Sequence, residues 1–347
     1  MKQTIKWGVI GSGGIARRRS IPEGLMQAEK TRLVSVYDIN GEANKAVADA
    51  FGAEACDTIE SLLAGDIDAV YVASPAYMHY EHVLACAKAQ KHVLCEKPLG
   101  MTVEETREMI RICKESHLFL GIGLMMRFHS QHQAALKLIG EGKVGKLVYG
   151  RAQLSCWYPP MDGAWRQDPK LGGGGSLMDM GGHCIDLLEM YFGKVKRVHC
   201  FIHNNVHDYA SEDSAVATLL FESGAMATVD TFFCIPDRSS KNILELYGSN
   251  GSILAQNTIG QGSAGEMRAY LEESGMQYNA AQEREAEEGL KIDPLPVNTY
   301  KAEIEEFNAS IRENRPPLNG PEIALSNQLV LTACYRSATT KQVVDID

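Results

Sequence analysis

Three observations predict a two-part chain: an α/β N-terminal domain on a doubly wound, mostly parallel sheet, then an α+β C-terminal domain on a large, mostly antiparallel open sheet. The apolar run Ile-Lys-Trp-Gly-Val-Ile at 5–10 passes straight into Gly-Ser-Gly-Gly-Ile-Ala at 11–16. Strand-like and helical segments then alternate up to residue 123, the rhythm of a parallel sheet covered on both faces. From residue 147 strand-like runs dominate, several joined by hairpin signals such as Glu222-Ser223-Gly224 and Ser249-Asn250-Gly251. With 347 residues, 45% of them apolar, the chain is long enough for two domains that each bury a core, and the change of rhythm divides it into 1–123 and 124–347.

The first strand, 5–10, leads through G-x-G-x-x-A into a helix, and a second strand, 32–37, ends on Asp38. In this arrangement Gly11 permits the tight turn, Gly13 lets the backbone approach a pyrophosphate, and Ala16 keeps the helix close to the sheet. The pyrophosphate lies at the helix N-terminus. An acid at the tip of the second strand accepts bonds from both ribose hydroxyls and repels a 2′-phosphate. The order strand, glycine turn, helix, strand, acid is that of a dinucleotide-binding Rossmann unit. It selects Gly11, Ser12, Gly13, Gly14, Ile15, Ala16 and Asp38 as cofactor-binding residues and favours NAD over NADP. The run Arg17-Arg18-Arg19 reads as a solvated helix face that is also close enough to reach a phosphate.

Helices at 43–51, 80–89 and 103–116 alternate with strands at 69–73, 92–95 and 118–123. Ligands in such sheets bind beyond the carboxyl ends of the strands. Two strand ends are therefore singled out: Ser74-Pro75, with His79 a turn later, and Glu96-Lys97-Pro98. A lysine directly after an apolar strand is not chosen for packing. Partly desolvated, it can hold a substrate hydroxyl and lower that hydroxyl's pKa.

Beyond residue 123 a helix at 131–140 is followed by strands at 147–155, 195–202, 215–221, 225–233 and 242–247. One face of this sheet is expected to pack on helices and the other to form a dimer interface. Between the first two strands lies Gly-Gly-Gly-Gly-Ser-Leu-Met-Asp-Met-Gly-Gly-His-Cys-Ile-Asp, residues 172–186. If a helix begins after Ser176, Asp179, His183 and Asp186 fall at i, i+4 and i+7 on one face, and the Ser176 hydroxyl is free to cap the Asp179 amide. Gly181 and Gly182 each cost about 1 kcal/mol against alanine inside a helix, so they mark a place where something approaches the backbone closely. From these residues alone the stretch supports either an acid–base site or a metal site built from Asp179, His183 and Asp186. Residues 256–298 are polar and poorly periodic, and Glu283–Glu288 read as a solvated acidic face. An amphipathic helix at 300–314, stopped by Pro316-Pro317, and a helix at 322–341 close the chain, expected to pack back toward the first domain.

The net charge of -10 argues against general binding to nucleic acid or a membrane surface. Residues 1–7 carry no apolar signal core and no apolar run approaches a membrane span, which points to the cytoplasm. Nine cysteines, none closer than nine positions to the next, exclude C-x-x-C motifs and read as reduced, mostly buried thiols.

Taken together, Gly11 to Ala16, Ser74-Pro75 with His79, Cys95-Glu96-Lys97-Pro98, Trp165-Arg166-Gln167-Asp168-Pro169, and Gly173-Gly174-Gly175 leading to Asp179, His183 and Asp186 resemble the Gfo/Idh/MocA family of oxidoreductases, which includes glucose-fructose oxidoreductase and inositol 2-dehydrogenase. The resemblance implies a catalytic group of Lys97, Asp179 and His183, with no metal. It also implies that Glu96, Lys97, Ser74, Pro75 and His79 line the cofactor, that Trp165 and Arg166 approach the nicotinamide end, and that Tyr300 lies near the same pocket. Further implications are a cis lysine–proline bond, a sugar or polyol (inositol-like) substrate, and a homodimer or homotetramer formed through the C-terminal sheet. Asp186 is left outside the catalytic group, as a supporting residue beside His183 or a plain salt bridge, and the glycines are read as clearance for a substrate and nicotinamide against the helix start. Two other activities occur on the same fold, NAD-dependent glycoside hydrolysis and non-catalytic dinucleotide sensing. The second predicts loss of the catalytic lysine or histidine, and both are present.

Overall fold

A computed structural model describes residues 4–272, 280 and 288–346. The first part of the chain runs β1 (Ile5–Ile10), a π-helix (Ala16–Leu25), β2 (Thr31–Tyr37), α1 (Gly41–Phe51), β3 (Glu54–Ala55), α2 (Ile59–Ala64), β4 (Ala69–Val72), α3 (His79–Lys88), β5 (His92–Glu96), α4 (Val103–Glu115) and β6 (Leu120–Gly123). Its six strands lie in the order β3-β2-β1-β4-β5-β6, and every pairing is parallel.

Alternation along the strands sends side chains to opposite faces. Trp7, Val9 and Tyr71 pack in one apolar cluster while Ile10, Val70 and Val72 pack in another, so both faces of this sheet are covered. The helix that follows the glycine turn is a π-helix and contains Pro22, which has no backbone N–H to donate; the Met26 amide bonds Ile21 O, five residues back.

The second part contains α5 (Ser130–Gly140), β7 (Leu147–Ser155), α6 (Pro169–Gly172), a second π-helix (Leu177–Gly181), α7 (Gly182–Phe192), β8 (Val195–His203), β9 (Ser214–Phe221), β10 (Met226–Phe232), β11 (Ile243–Gly248), β12 (Gly251–Gln256), β13 (Glu266–Leu271) and β14 (Leu290–Lys291). It ends with α8 (Thr299–Glu313), α9 (Pro321–Thr340) and β15 (Val344–Asp345). Nine strands form one sheet in the order β14-β13-β12-β11-β7-β10-β9-β8-β15, antiparallel except for the pair β7 and β10. The expected hairpins at 222–224 and 249–251 join β9 to β10 and β11 to β12. β13 and β14 lie within 256–298, where polar, weakly periodic sequence hid them. Of the acidic cluster at 283–288, all but Glu288 lies outside the described residues.

One face of this sheet buries Ala152, Leu219 and Val229 against α7, in a core that includes Leu187 and Leu188. On the other face Arg151 makes a two-pronged ion pair with Asp230, at 3.0 Å on each side. Helices α8 and α9 bridge the two parts: Phe307 and Ala324 join the cores of the first sheet, Tyr300 and Leu331 the core of the second. The Trp7 indole N–H donates to Asn308 Oδ1 at 3.0 Å, tying β1 to α8. All nine cysteines are free, and among the described residues no helix is long and apolar enough to cross a membrane.

Candidate active site

A cavity of about 800 Å³ runs along the carboxyl ends of β1, β2, β4 and β5 and is walled on its far side by the second sheet and the π-helix that precedes α7. Gly11, Gly14, Ile15 and Asp38 line one end; Lys97, Trp165, Arg166, Asp179, His183 and Tyr300 line the other; Ser74, Pro75, His79 and Glu96 also face it.

The glycine turn is shaped by contacts within the protein. Gly11 has φ +83°, and a Cβ there would stand 2.4 Å from the Ser74 amide nitrogen. A Cβ on Gly13 would stand 3.1 Å from Asp38 Oδ2, which instead accepts the Gly13 N–H at 2.8 Å. The other oxygen of Asp38 accepts the Asn40 amide at 2.9 Å, so the carboxylate is fixed at the strand tip. These residues fit a dinucleotide: a turn with no side chain in the way, opening into a cavity with an immobilised acid at the ribose position. Three residues of the fingerprint do not line the cavity. Ser12 is buried, its hydroxyl donating to Asn44 Oδ1 and its amide to Tyr37 O; Gly13 serves through its contact with Asp38; Ala16 is wholly buried in the first core.

At the ends of β4 and β5, Ser74 Oγ shares a hydrogen bond with His82 Nδ1 at 2.8 Å. The two ring nitrogens of His79 face Ser74 O and Pro98 O at 2.9 and 2.8 Å, linking the two loops. Burial pushes the His79 pKa down to about 4, so the ring is neutral and donates to one of the two carbonyls. The Lys97–Pro98 peptide is cis. Tyr71 donates to Glu96 Oε1 at 2.5 Å, and burial raises the pKa of this carboxyl.

Lys97 Nζ donates to Asp179 Oδ1 at 2.7 Å and to Asp179 O at 2.6 Å. Arg166 Nε donates to the same Oδ1 at 2.8 Å, and its guanidinium stacks 4.1 Å over the Trp165 ring. Burial opposes ionisation of Asp179, yet the charges of Arg166 and Lys97 outweigh it and hold the carboxyl well below the usual range. His183 is buried, and its Nδ1 has no hydrogen-bond partner among the described residues. Burial, reinforced by Lys97, pushes its pKa down to about 3, against a smaller opposite pull from Asp179.

Three local expectations are corrected. Asp186 forms a salt bridge, the alternative to supporting His183: both its oxygens are taken by Arg127 at 2.8 to 3.1 Å, because a guanidinium fork outcompetes a neutral imidazole for a carboxylate. The residues considered as a metal set therefore do not converge. Ser176 does not cap the helix, since its hydroxyl donates to Thr231 O. Glu212 does so instead, accepting the Gly175 amide at 2.8 Å and the Leu177 amide at 3.0 Å, while Tyr335 donates to it at 2.8 Å and accepts the Met178 amide. Nor do the glycines make room for a ligand. A Cβ on Gly174 would stand 1.9 Å from the Tyr335 hydroxyl oxygen, one on Gly175 1.9 Å from Glu212 O, one on Gly181 2.7 Å from the Leu177 side chain, and one on Gly182 3.1 Å from Asn327 Oδ1. The protein's own atoms press on this backbone.

The sequence reading also missed His82, spaced i+3 from His79, and the second-sheet wall of Ser155, Cys156, Asp237 and Asn242. The first carried a helical-spacing signal. The wall is assembled from separate strands and loops and carried none.

Residues 5–124 match the oxidoreductase family with an NAD-binding Rossmann fold, and residues 132–254 match the GFO/IDH/MocA C-terminal domain. The chain is 28% identical over 346 residues to the 1,5-anhydro-D-fructose reductase of Ensifer adhaerens, covering 99% of this chain and 98% of that one. It is 27% identical over 345 residues to the D-xylose 1-dehydrogenase (NADP(+)) 2 of Haloferax volcanii, covering 98% and 99%. The crystal structure of aldose-aldose oxidoreductase from Caulobacter crescentus complexed with glycerol superposes with a TM-score of 0.85 at 25% identity, over 99% of this chain and 100% of that one. Domain order, both domain matches and the end-to-end similarity agree: the chain belongs to the GFO/IDH/MocA oxidoreductase family.

Proposed function

We propose that the protein is an NAD(P)-dependent dehydrogenase or reductase acting on a secondary alcohol or ketone carbon of a sugar, polyol or related small molecule. The observation that carries this reading is the convergence of Lys97, Asp179 and His183 at one end of a cavity whose other end is the glycine turn with Asp38. When bound, the nicotinamide supplies the hydride chemistry at its C4. The chain's own residues supply the rest.

Lys97, held by the carboxylate and carbonyl of Asp179, is a fixed positive charge that stabilises the oxygen of the reacting carbon as it becomes an alkoxide. Because Nδ1 of His183 is buried, Nε2 is the nitrogen that exchanges a proton with a ligand. It takes the hydroxyl proton in oxidation and returns it in reduction. Asp179 positions Lys97 and Arg166. Trp165 and Arg166, stacked together, form the wall at the nicotinamide end.

Asp38 supports NAD as the preferred cofactor, since its pinned carboxylate would repel a 2′-phosphate. Arg18 lines the same end of the cavity and keeps NADP within reach. We place the protein in the cytoplasm, in keeping with its nine free thiols, as a homodimer or homotetramer whose subunits meet on the open face of the second sheet. A screen of sugars, inositols and keto-sugars with NAD and with NADP, followed at the reduced-cofactor absorbance band, tests substrate class and cofactor together. Turnover with NAD supports the reading, and no turnover with any of them sinks it.

A further inference from the structure

The second-sheet end of the cavity carries polar groups that the proposed chemistry does not use. Ser155, the last residue of β7, is 4% exposed and lines the cavity, and its hydroxyl has no hydrogen-bond partner. That oxygen is enclosed by protein, so Ser155 supports the wall through its backbone amide. Asn242 stands beside it with φ +43°, a conformation that asparagine tolerates better than most residues. Its Oδ1 accepts from the Ser155 amide at 3.1 Å and from Ser240 Oγ at 2.7 Å, so what it can offer a ligand is its amide NH₂. Asp237 faces the same space, with Oδ1 accepting the Trp157 amide at 3.3 Å. The charges at this end balance: Lys97 and Arg166 both lean on Asp179, and Asp237 adds a second carboxylate.

We propose that Asp237 and Asn242 form a hydroxyl-recognition subsite that selects neutral polyhydroxylated substrates and rejects sugar acids. The proposal rests on the functional reading above and narrows its substrate class. A hydroxyl both donates and accepts, and this wall offers an acceptor in Asp237 and a donor in Asn242. A ligand carboxylate only accepts, so it would meet Asp237 as a like charge, and the two cations able to offset it are already engaged by Asp179.

The test compares kcat/KM for a neutral aldose or polyol with that for the uronic acid of the same ring, in the wild type and in two near-isosteric variants. The wild type is expected to prefer the neutral member by about tenfold or more. In Asp237→Asn the KM for the neutral substrate is expected to rise about tenfold with kcat within about threefold, and the neutral-over-acid preference to narrow. Asn242→Asp keeps the oxygen that holds Ser155 but replaces the donor by a second acceptor; it is expected to raise the same KM and to widen the preference. Equal turnover of neutral and acidic substrates by the wild type, or wild-type KM values in both variants, overturns the subsite while leaving the oxidoreductase reading intact. A wild-type protein that turns over no sugar or polyol overturns both.

Discussion

One oxygen of Asp179 receives both Lys97 and Arg166, while His183 one turn on has no partner on its buried nitrogen. This asymmetry sets the charge state of the site. The carboxylate stays ionised because two cations face it, and the imidazole stays neutral because burial and the same lysine disfavour its cation. Replacing Asp179 by Asn leaves two adjacent cations without their counter-charge, although the backbone carbonyl at 179 still accepts from Lys97. The expected result in steady-state kinetics is a fall in kcat of about 100-fold. For His183 the sign is as follows: with its pKa lowered to about 3, the neutral form is present at any pH above that value. The kcat/KM profile of alcohol oxidation should therefore show no His183 limb near the ordinary value of about 6.5. A His183 ring that titrates near 6.5 in an NMR titration would contradict this charge assignment. Sequence spacing picked out Asp179 and His183, which both line the cavity, and left a salt bridge open for Asp186, yet it could not name Arg127, a residue 59 positions away, as the partner.

The element that positions these side chains is the turn from Gly172 into α7. Its glycine run drew attention to the right place for the wrong reason. A repeated glycine signals close approach, but the sequence does not say of what, and the approaching groups, Glu212 and Tyr335, come from distant parts of the chain. Gly175→Ala drives a methyl group into the Glu212 backbone and is expected to cost about 1–3 kcal/mol in a denaturant titration. Glu212→Ala strips the acceptor from two buried amides and from Tyr335, and should destabilise by a similar amount and lower kcat, because the turn carries Asp179. Loss of stability with wild-type kcat in the folded fraction would show that the turn does not depend on Glu212 for its catalytic geometry. By contrast, strands 5–10 and 147–155 were legible in full, since the first is a continuous run buried on both faces and the second has a periodic buried face. The short strands β3, β14 and β15 have two residues apiece and exist through pairing with a neighbour, which local sequence does not encode.

At the scale of the whole molecule, the two sheets are joined by α8 and α9, and the cavity lies between the parts they join. Several titratable groups are buried with this architecture, and they make stability depend on pH. His79, His132 and His183 are lowered to about 4, 3 and 3, first of all by burial. The folded state thus binds fewer protons than the unfolded chain, whose histidines titrate near about 6.5, and stability rises with pH across that window by up to about 1.4 kcal/mol per pH unit for each group. Glu189, raised to about 7 by burial, and Glu303, also raised, oppose this above their ordinary value of 4.5, because the folded state holds their protons longer. Below 4.5 that opposition ends. The urea midpoint is therefore expected to fall between pH 4.5 and 3, and a flat or rising midpoint would contradict the neutral assignment of the three histidines.

The central claim, that Lys97 and His183 do the chemistry and that cofactor binding does not depend on them, is tested most directly by measuring turnover and NADH binding together in Lys97→Ala and His183→Ala. The account predicts that both variants lose turnover and still bind NADH, seen as retained fluorescence of the bound reduced cofactor. Turnover at the wild-type rate in either variant would contradict it.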